Sequence, residues 1–226
     1  VKPVTAARKL APQIVLGLDL GKLHDPSALA VLEWDREPRV AFAPPPPPPR
    51  YRIPTLHRWP LGTAYTSIVA DLTRWYRTQL PAGTTPVLVV DATGVGEAVV
   101  EMVRTALAKA GARGGLVGVT ITAGSAVTQT GTGRFRVAKK QLVSVVQVLL
   151  GTRRLQLAPD LPETPTLLRE LGTFTVKITE SANESFESWR ERDHDDLVLA
   201  VALACWAAET LRWGDDQPPG PLRLTT

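Results

Sequence analysis

Three groups of carboxylates stand where apolar segments begin or end. Ile14-Val15-Leu16-Gly17-Leu18 runs into Asp19, and Val87-Leu88-Val89-Val90 runs into Asp91. Asp193-His194-Asp195-Asp196 leads directly into Leu197-Val198-Leu199-Ala200. Acids so far apart in sequence, each at an element end, can be gathered into one pocket by folding. Crowded carboxylates repel, and a bound divalent cation is the natural compensation. Hard oxygen donors in this number suit magnesium or manganese better than zinc. The chemistry such a pocket would perform is two-metal hydrolysis of a phosphodiester.

Each acid also has an ordinary reading. Asp19 lies in Gly-Leu-Asp-Leu-Gly, and Asp near Gly is common at turns. A carboxylate at the end of a buried strand is nonetheless costly unless it meets a cation or a donor. Asp91 could cap the helix that follows it. Gly94 and Gly96 then resemble a dinucleotide fingerprint, but Val99 replaces its third glycine, and no G-x-x-x-x-G-K-[ST] occurs in the chain. One Asp suffices as an N-cap at 193–196, so three crowded there need a further reason. Asp25, in Leu-His-Asp-Pro-Ser, is either a turn residue or an accessory ligand returning to Asp19. His194 is an ordinary polar residue, one that orients a carboxylate or a water, or a peripheral ligand.

The basic residues are segregated from these acids. From Met102 to Pro159 there is no Asp or Glu, but there are nine Lys and Arg. Arg134, Arg136, Lys139, Lys140, Arg153 and Arg154 are the candidates for contact with a phosphate backbone. Basic side chains at the start of a helix oppose its dipole, which favours an external anion over a purely structural role. The net charge of +4 and pI near 9.5 point the same way. The single Cys205 rules out an intramolecular disulfide, and an intracellular setting is the expectation. No apolar run reaches the length of a membrane span, and a hydrophobic content of 44% is enough for a core in one large domain.

Positioning the acids requires a framework of strands and helices. Residues 14–20 and 28–34 read as a hairpin with its turn at 21–27, placing Asp19 beside the turn. A third strand is expected at 40–42. The proline run at 44–49 must be extended and exposed, as an insertion loop. Strand character resumes at 51–59. A helix is expected over 66–80, with Ile68, Val69, Leu72, Trp75 and Tyr76 inward. Residues 87–90 form a continuous apolar run, as buried strands do. A helix over 97–110 and a strand over 116–121 follow. Residues 122–133, uncharged and rich in Gly, Ser and Thr, read as a loop that moves on ligand binding. Helices are expected at 137–150, 165–171 and 196–211, with a short strand at 155–157. Residues 174–178 alternate like an edge strand. Residues 1–12 read as a tail or linker, 13–213 as the domain and 214–226 as a flexible C-terminal tail. The whole predicts an α/β protein with a mixed sheet flanked by helices.

Four segments together resemble the C-terminal nuclease domain of tailed-phage terminase large subunits. They are Gly-Leu-Asp-Leu-Gly with the following Asp-Pro-Ser-Ala-Leu-Ala-Val-Leu-Glu, Val-Val-Asp-Ala-Thr-Gly-Val-Gly, Phe-Arg-Val-Ala-Lys-Lys-Gln-Leu-Val and His-Asp-Asp-Leu-Val-Leu-Ala. Order and rough spacing match over about residues 14–211. The resemblance implies a ribonuclease H-like fold and a metal-dependent endonuclease that cuts double-stranded viral DNA during genome packaging. It implies Asp19, Asp91 and Asp196 as the catalytic metal ligands. Asp195 and Asp25 would be accessory ligands or groups that lie directly behind the ligands. Magnesium or manganese would be the cofactor, with two ions present on substrate. The implied partners are double-stranded DNA, an N-terminal packaging ATPase domain absent here, the portal and the small terminase subunit. The setting is the cytoplasm of an infected bacterium. The start at Val1 is read as that of an isolated domain. Two competing expectations are a Holliday-junction-resolvase-like nuclease and a non-catalytic DNA-binding or motor-docking module. Actin-like ATPases and sugar kinases share an Asp-x-Gly hairpin but need longer, two-lobed chains.

Overall fold

A computed structural model describes residues 11–21, 25–35, 47–94, 96–180 and 195–211. Strands β1 (Gln13–Asp19), β2 (Ala28–Trp34) and β3 (Tyr51–Arg58) form an antiparallel meander. On the other side of β1, strand β4 (Val87–Asp91) pairs in parallel, followed by β5 (Gly115–Thr122). β7 (Arg134–Ala138) continues the parallel half, and β6 (Val127–Gly131) closes that edge antiparallel to it. β8 (Leu155–Leu157) forms the opposite edge beside β3. The sheet order is β6-β7-β5-β4-β1-β2-β3-β8. Five helices accompany it among the described residues: α1 (Tyr65–Thr78), α2 (Gly96–Lys109), α3 (Lys139–Gly151), α4 (Thr164–Glu180) and α5 (Asp196–Thr210). This is the helix-flanked, mixed α/β sheet that the sequence predicts.

The period-2 alternation of the central strands sorts their side chains onto two faces. Ile14, Leu16 and Leu18 of β1 and Leu88 and Val90 of β4 pack under α1 and α2. Val15 of β1 and Val87 and Val89 of β4 face α5 and α3. Burial on both faces explains why both strands read as unbroken apolar runs. Helix α5 is buried from Asp196 to Ala208 because the sheet lies on one side and α3 and α4 lie against it on others. It sits directly on β1 at Gly17. A Cβ at Gly17 would lie 1.9 Å from the Ala200 carbonyl oxygen and 2.9 Å from the Ala204 nitrogen.

Most expected elements are present with ends shifted by one or two residues, and three expectations are corrected. The segment 174–178 is not an edge strand; it continues α4, which runs through to Glu180. Its β-branched residues give only a weak local preference, and a helix already started at Thr164 adds a hydrogen bond with each residue. The uncharged segment 122–133 is not simply a loop. It contains β6, which turns at Gly133 (φ 66°) into β7. Arg134 and Arg136 consequently lie on a strand, and the helix expected from 137 begins at Lys139. The third strand expected at 40–42, and both tails apart from 11–12, lie outside the described residues. Pro47–Pro49 are exposed and outside any strand, as expected of the proline run.

Candidate active site

The sheet register puts the two strand acids side by side. β1 and β4 are parallel with Leu18 opposite Val90, so the next residues on each, Asp19 and Asp91, are neighbours. Across β1 and β2, Asp19 pairs with Ala28, and across β2 and β3, Ala28 pairs with Arg58. One line across four strands therefore reads Asp91, Asp19, Ala28, Arg58. By parity with Val15 and Val89, Asp19 and Asp91 lie on the face that carries α5. Both are buried, at 5% and 1% exposure.

Helix α5 delivers the third acid to the same end. Asp196 precedes Ala200 by about one turn, ~6 Å. Asp19 follows Gly17 by two strand residues, also ~6–7 Å. The close seat of Ala200 on Gly17 thus carries Asp196 towards the Asp19 end of the sheet. The Arg58 guanidinium confirms the placement, since its Nε (3.1 Å) and Nη2 (2.7 Å) both donate to Asp196 Oδ2. Asp196 is 2% exposed. Burial raises its carboxyl pKa above the usual range; Arg58 opposes the rise, and neighbouring Asp195 and Asp25 add to it. Asp25 is therefore close enough to act on Asp196 electrostatically.

Other contacts hold the remaining acids. Asp91 Oδ1 accepts from the Thr93 amide (2.8 Å) and from the Thr93 hydroxyl. Thr93 Oγ1 in turn accepts from the Ile121 amide at 2.8 Å, tying Asp91 to β5. Asp91 thus closes its own turn. Tyr65 donates its hydroxyl to the Gly21 carbonyl (2.8 Å) beyond Asp19, and the Gly21 amide donates to Ser27 Oγ at 3.0 Å. Asp195 is the N-cap residue of α5 but makes no side-chain cap bond. Its Oδ2 instead accepts from Lys139 Nζ at 2.7 Å.

Two residues of this pocket escaped the sequence reading, Arg58 and Glu170. Glu170 of α4 is 5% exposed, and its Oε2 accepts from the amides of Leu197 (3.0 Å) and Val198 (3.1 Å) in the first turn of α5. Burial, above all, pushes its carboxyl up to about 7, against the lowering pull of the Val198 amide and Arg58. A signal for it existed. Leu167, Glu170 and Leu171 share one helical stripe, so an acid lies among residues that must be inward. Arg58 was signalled only by lying at the end of the third meander strand.

The basic candidates separate on folding. Arg134 pairs with Glu97 (2.5 Å) and Glu101 (3.3 Å) of α2. Arg154 pairs with Glu209 (2.6 Å), donates to the Pro49 carbonyl (2.9 Å) and lies over the Tyr51 ring. Lys139 joins Asp195. Arg136, Lys140 and Arg153 are exposed. Lys139 and Lys140 open α3 at the acidic end, whereas Arg153 and Arg154 follow its last turn, ~20 Å away. His194 lies outside the described residues.

The donor chemistry fits a divalent cation. The buried carboxylates of Asp19, Asp91 and Asp196 lie at one end of the sheet, where Asp196 already attracts an arginine and the half-buried Asp195 a lysine. Among the described residues, no three His, Cys, Asp or Glu side chains are placed together so that they could hold a metal ion. The acids are gathered at one end of the sheet, and Arg58 and Lys139 supply the positive charge there.

Fold and site define an α/β protein with a mixed, helix-flanked sheet and acids collected at the ends of its central parallel strands. Among solved structures, the chain is similar to the Thermus thermophilus RuvC structure, with 13% sequence identity and a TM-score of 0.36. The alignment covers 86% of this chain and 92% of that one. No protein-family model matches the sequence, and no curated protein matches it significantly. No helix among the described residues is long and apolar enough to cross a membrane.

Proposed function

We propose that this chain is a metal-dependent DNA endonuclease of the terminase nuclease type. One observation carries the reading: Asp19, Asp91 and Asp196, from three distant segments, are all buried at one end of the sheet. Three buried acids are expensive for a fold that needs only a helix cap and two turns there. Asp19, Asp91 and Asp196 would hold magnesium or manganese, with Asp195 and Asp25 as accessory groups. When bound, two such ions would supply an activated water and neutralise charge on the leaving 3′ oxygen. Arg58 restrains the Asp196 carboxylate, and Lys139 restrains Asp195. Lys140 lies exposed beside Lys139 at the acidic end and would hold the DNA backbone without reading bases, with exposed Arg136 on the opposite face of β7, so cleavage would be largely sequence-independent. The substrate would be double-stranded viral DNA during packaging in the bacterial host. The motor would be the packaging ATPase domain of a longer chain, with portal and small terminase subunit as its partners.

Supercoiled plasmid incubated with the protein is expected to be nicked and linearised with manganese or magnesium and left intact with a chelator. Asp19→Ala and Asp91→Ala should each lower the rate by at least about 100-fold while retaining cooperative unfolding. Wild-type rates in either variant would rule out the mechanism. A four-way junction supplied alongside linear duplex separates the packaging reading from a resolvase: preferential cutting of the junction supports the latter.

A further inference from the structure

An ordinary N-cap residue bonds the amides two and three places ahead of it with its own side chain. In α5 those amides belong to Leu197 and Val198, and Asp195 is the residue placed to serve them. It does not; its carboxylate is turned to Lys139. Both amides are instead bonded by one oxygen of Glu170, from a different helix. Glu170 is buried to 5% exposure, between Leu167 on its own helix and the apolar start of α5. Burying a carboxylate there is a costly way to cap a helix when an aspartate already stands at the cap. What the arrangement achieves is a division of labour. The cap comes from outside, and both acids that open α5 turn their side chains to cations: Lys139 on Asp195 and Arg58 on Asp196.

We infer that Glu170 is a positioning residue for the acidic pocket. It holds the first turn of α5 so that Asp196 meets Asp19 and Asp91 in register. It touches the backbone after Asp196 and acts through it. The inference rests on the reading that the pocket binds a divalent cation. It concerns which residue sets the pocket's geometry, which that reading leaves open.

The test compares two mild variants by calorimetric titration with manganese alone. Glu170→Gln keeps an acceptor oxygen at the same reach and loses the charge. Glu170→Asp keeps the charge but draws the acceptor back by one methylene. If Glu170 positions Asp196 through its bonds, Glu170→Gln binds manganese within about threefold of wild type, and Glu170→Asp binds about 10- to 100-fold more weakly. Thermal unfolding in chelator accompanies each titration. A purely structural fastener would lower the melting temperature of Glu170→Asp and leave manganese affinity unchanged, which overturns the inference. Equal weakening in both variants, or weakening in Glu170→Gln alone, assigns the effect to charge and overturns it too. Wild-type protein that binds no manganese fails the metal reading itself, and the inference with it. Wild-type binding that neither variant alters fails the inference alone.

Discussion

Glu170 shows how one buried side chain ties protonation to stability. Its carboxyl is held up at about 7 by burial, against an ordinary value of 4.5. Between these values the folded protein holds a proton that the unfolded chain releases. The contribution is therefore full below about pH 4.5 and is lost as pH rises through about 7. Asp196, also raised by burial, acts in the same direction. Metal-free protein should melt at progressively lower temperature as pH rises across that window, and Glu170→Gln should flatten the fall without abolishing it. Circular dichroism melts at a series of pH values in chelator measure both; an unchanged slope in the variant would mean that Glu170 does not titrate there. The metal candidates were legible at this scale because Asp19, Asp91 and Asp196 each interrupt an apolar pattern at its boundary. Arg58 was not, because its significance lies in a strand register that brings it opposite Ala28. Such a pairing depends on where the hairpin turns, which residue types do not state.

At the scale of elements, the contact between α5 and β1 sets the geometry of the site. The helix backbone rests on the strand at Gly17, where any Cβ would overlap the Ala200 carbonyl. Gly17→Ala must push the helix away or bend the strand, and either moves Asp196 relative to Asp19. The expected cost is about 3 kcal/mol or more, read as a lower urea midpoint with unchanged slope. Plasmid nicking should fall in the same variant under conditions where it remains folded. Near-wild-type stability and activity would show that the close seat is dispensable. Elements with strong periodicity were readable in advance: the strand at 87–90 and the helix from Asp196 carry patterns only burial explains. The strand within 127–131 was missed because Val-Thr-Gln-Thr-Gly is half exposed at an edge and offers no apolar alternation. The end of α4 was misread for the converse reason, since its β-branched residues alternate while the preceding turns decide the conformation.

Over the whole molecule, the acid-free stretch does not make one surface. α3 separates its clusters by ~20 Å, with Lys139 and Lys140 at the acidic end and Arg153 and Arg154 at the other. Three of the six basic candidates are engaged internally: Arg134 with α2, Lys139 with Asp195, and Arg154 with Glu209. DNA affinity should therefore depend on Lys140 far more than on Arg153. Lys140→Ala should make the slope of log affinity against log salt shallower by about 1. Arg153→Ala should leave it unchanged. Fluorescence anisotropy over a salt series decides the matter, and a comparable loss from Arg153 would place DNA along the full length of α3.

Cys205, the single cysteine, lies at 0% exposure in the middle of α5, and burial pushes its thiol pKa up. A thiol reagent can reach it only when that helix lifts from the sheet. The rate of its modification is thus a clock for the opening of the element that carries Asp196. An ion that Asp196 and the two strand acids would hold should slow that clock by mass action, whatever the state of catalysis. Labelling with and without manganese then times the pocket's assembly in unmodified protein, with no DNA present.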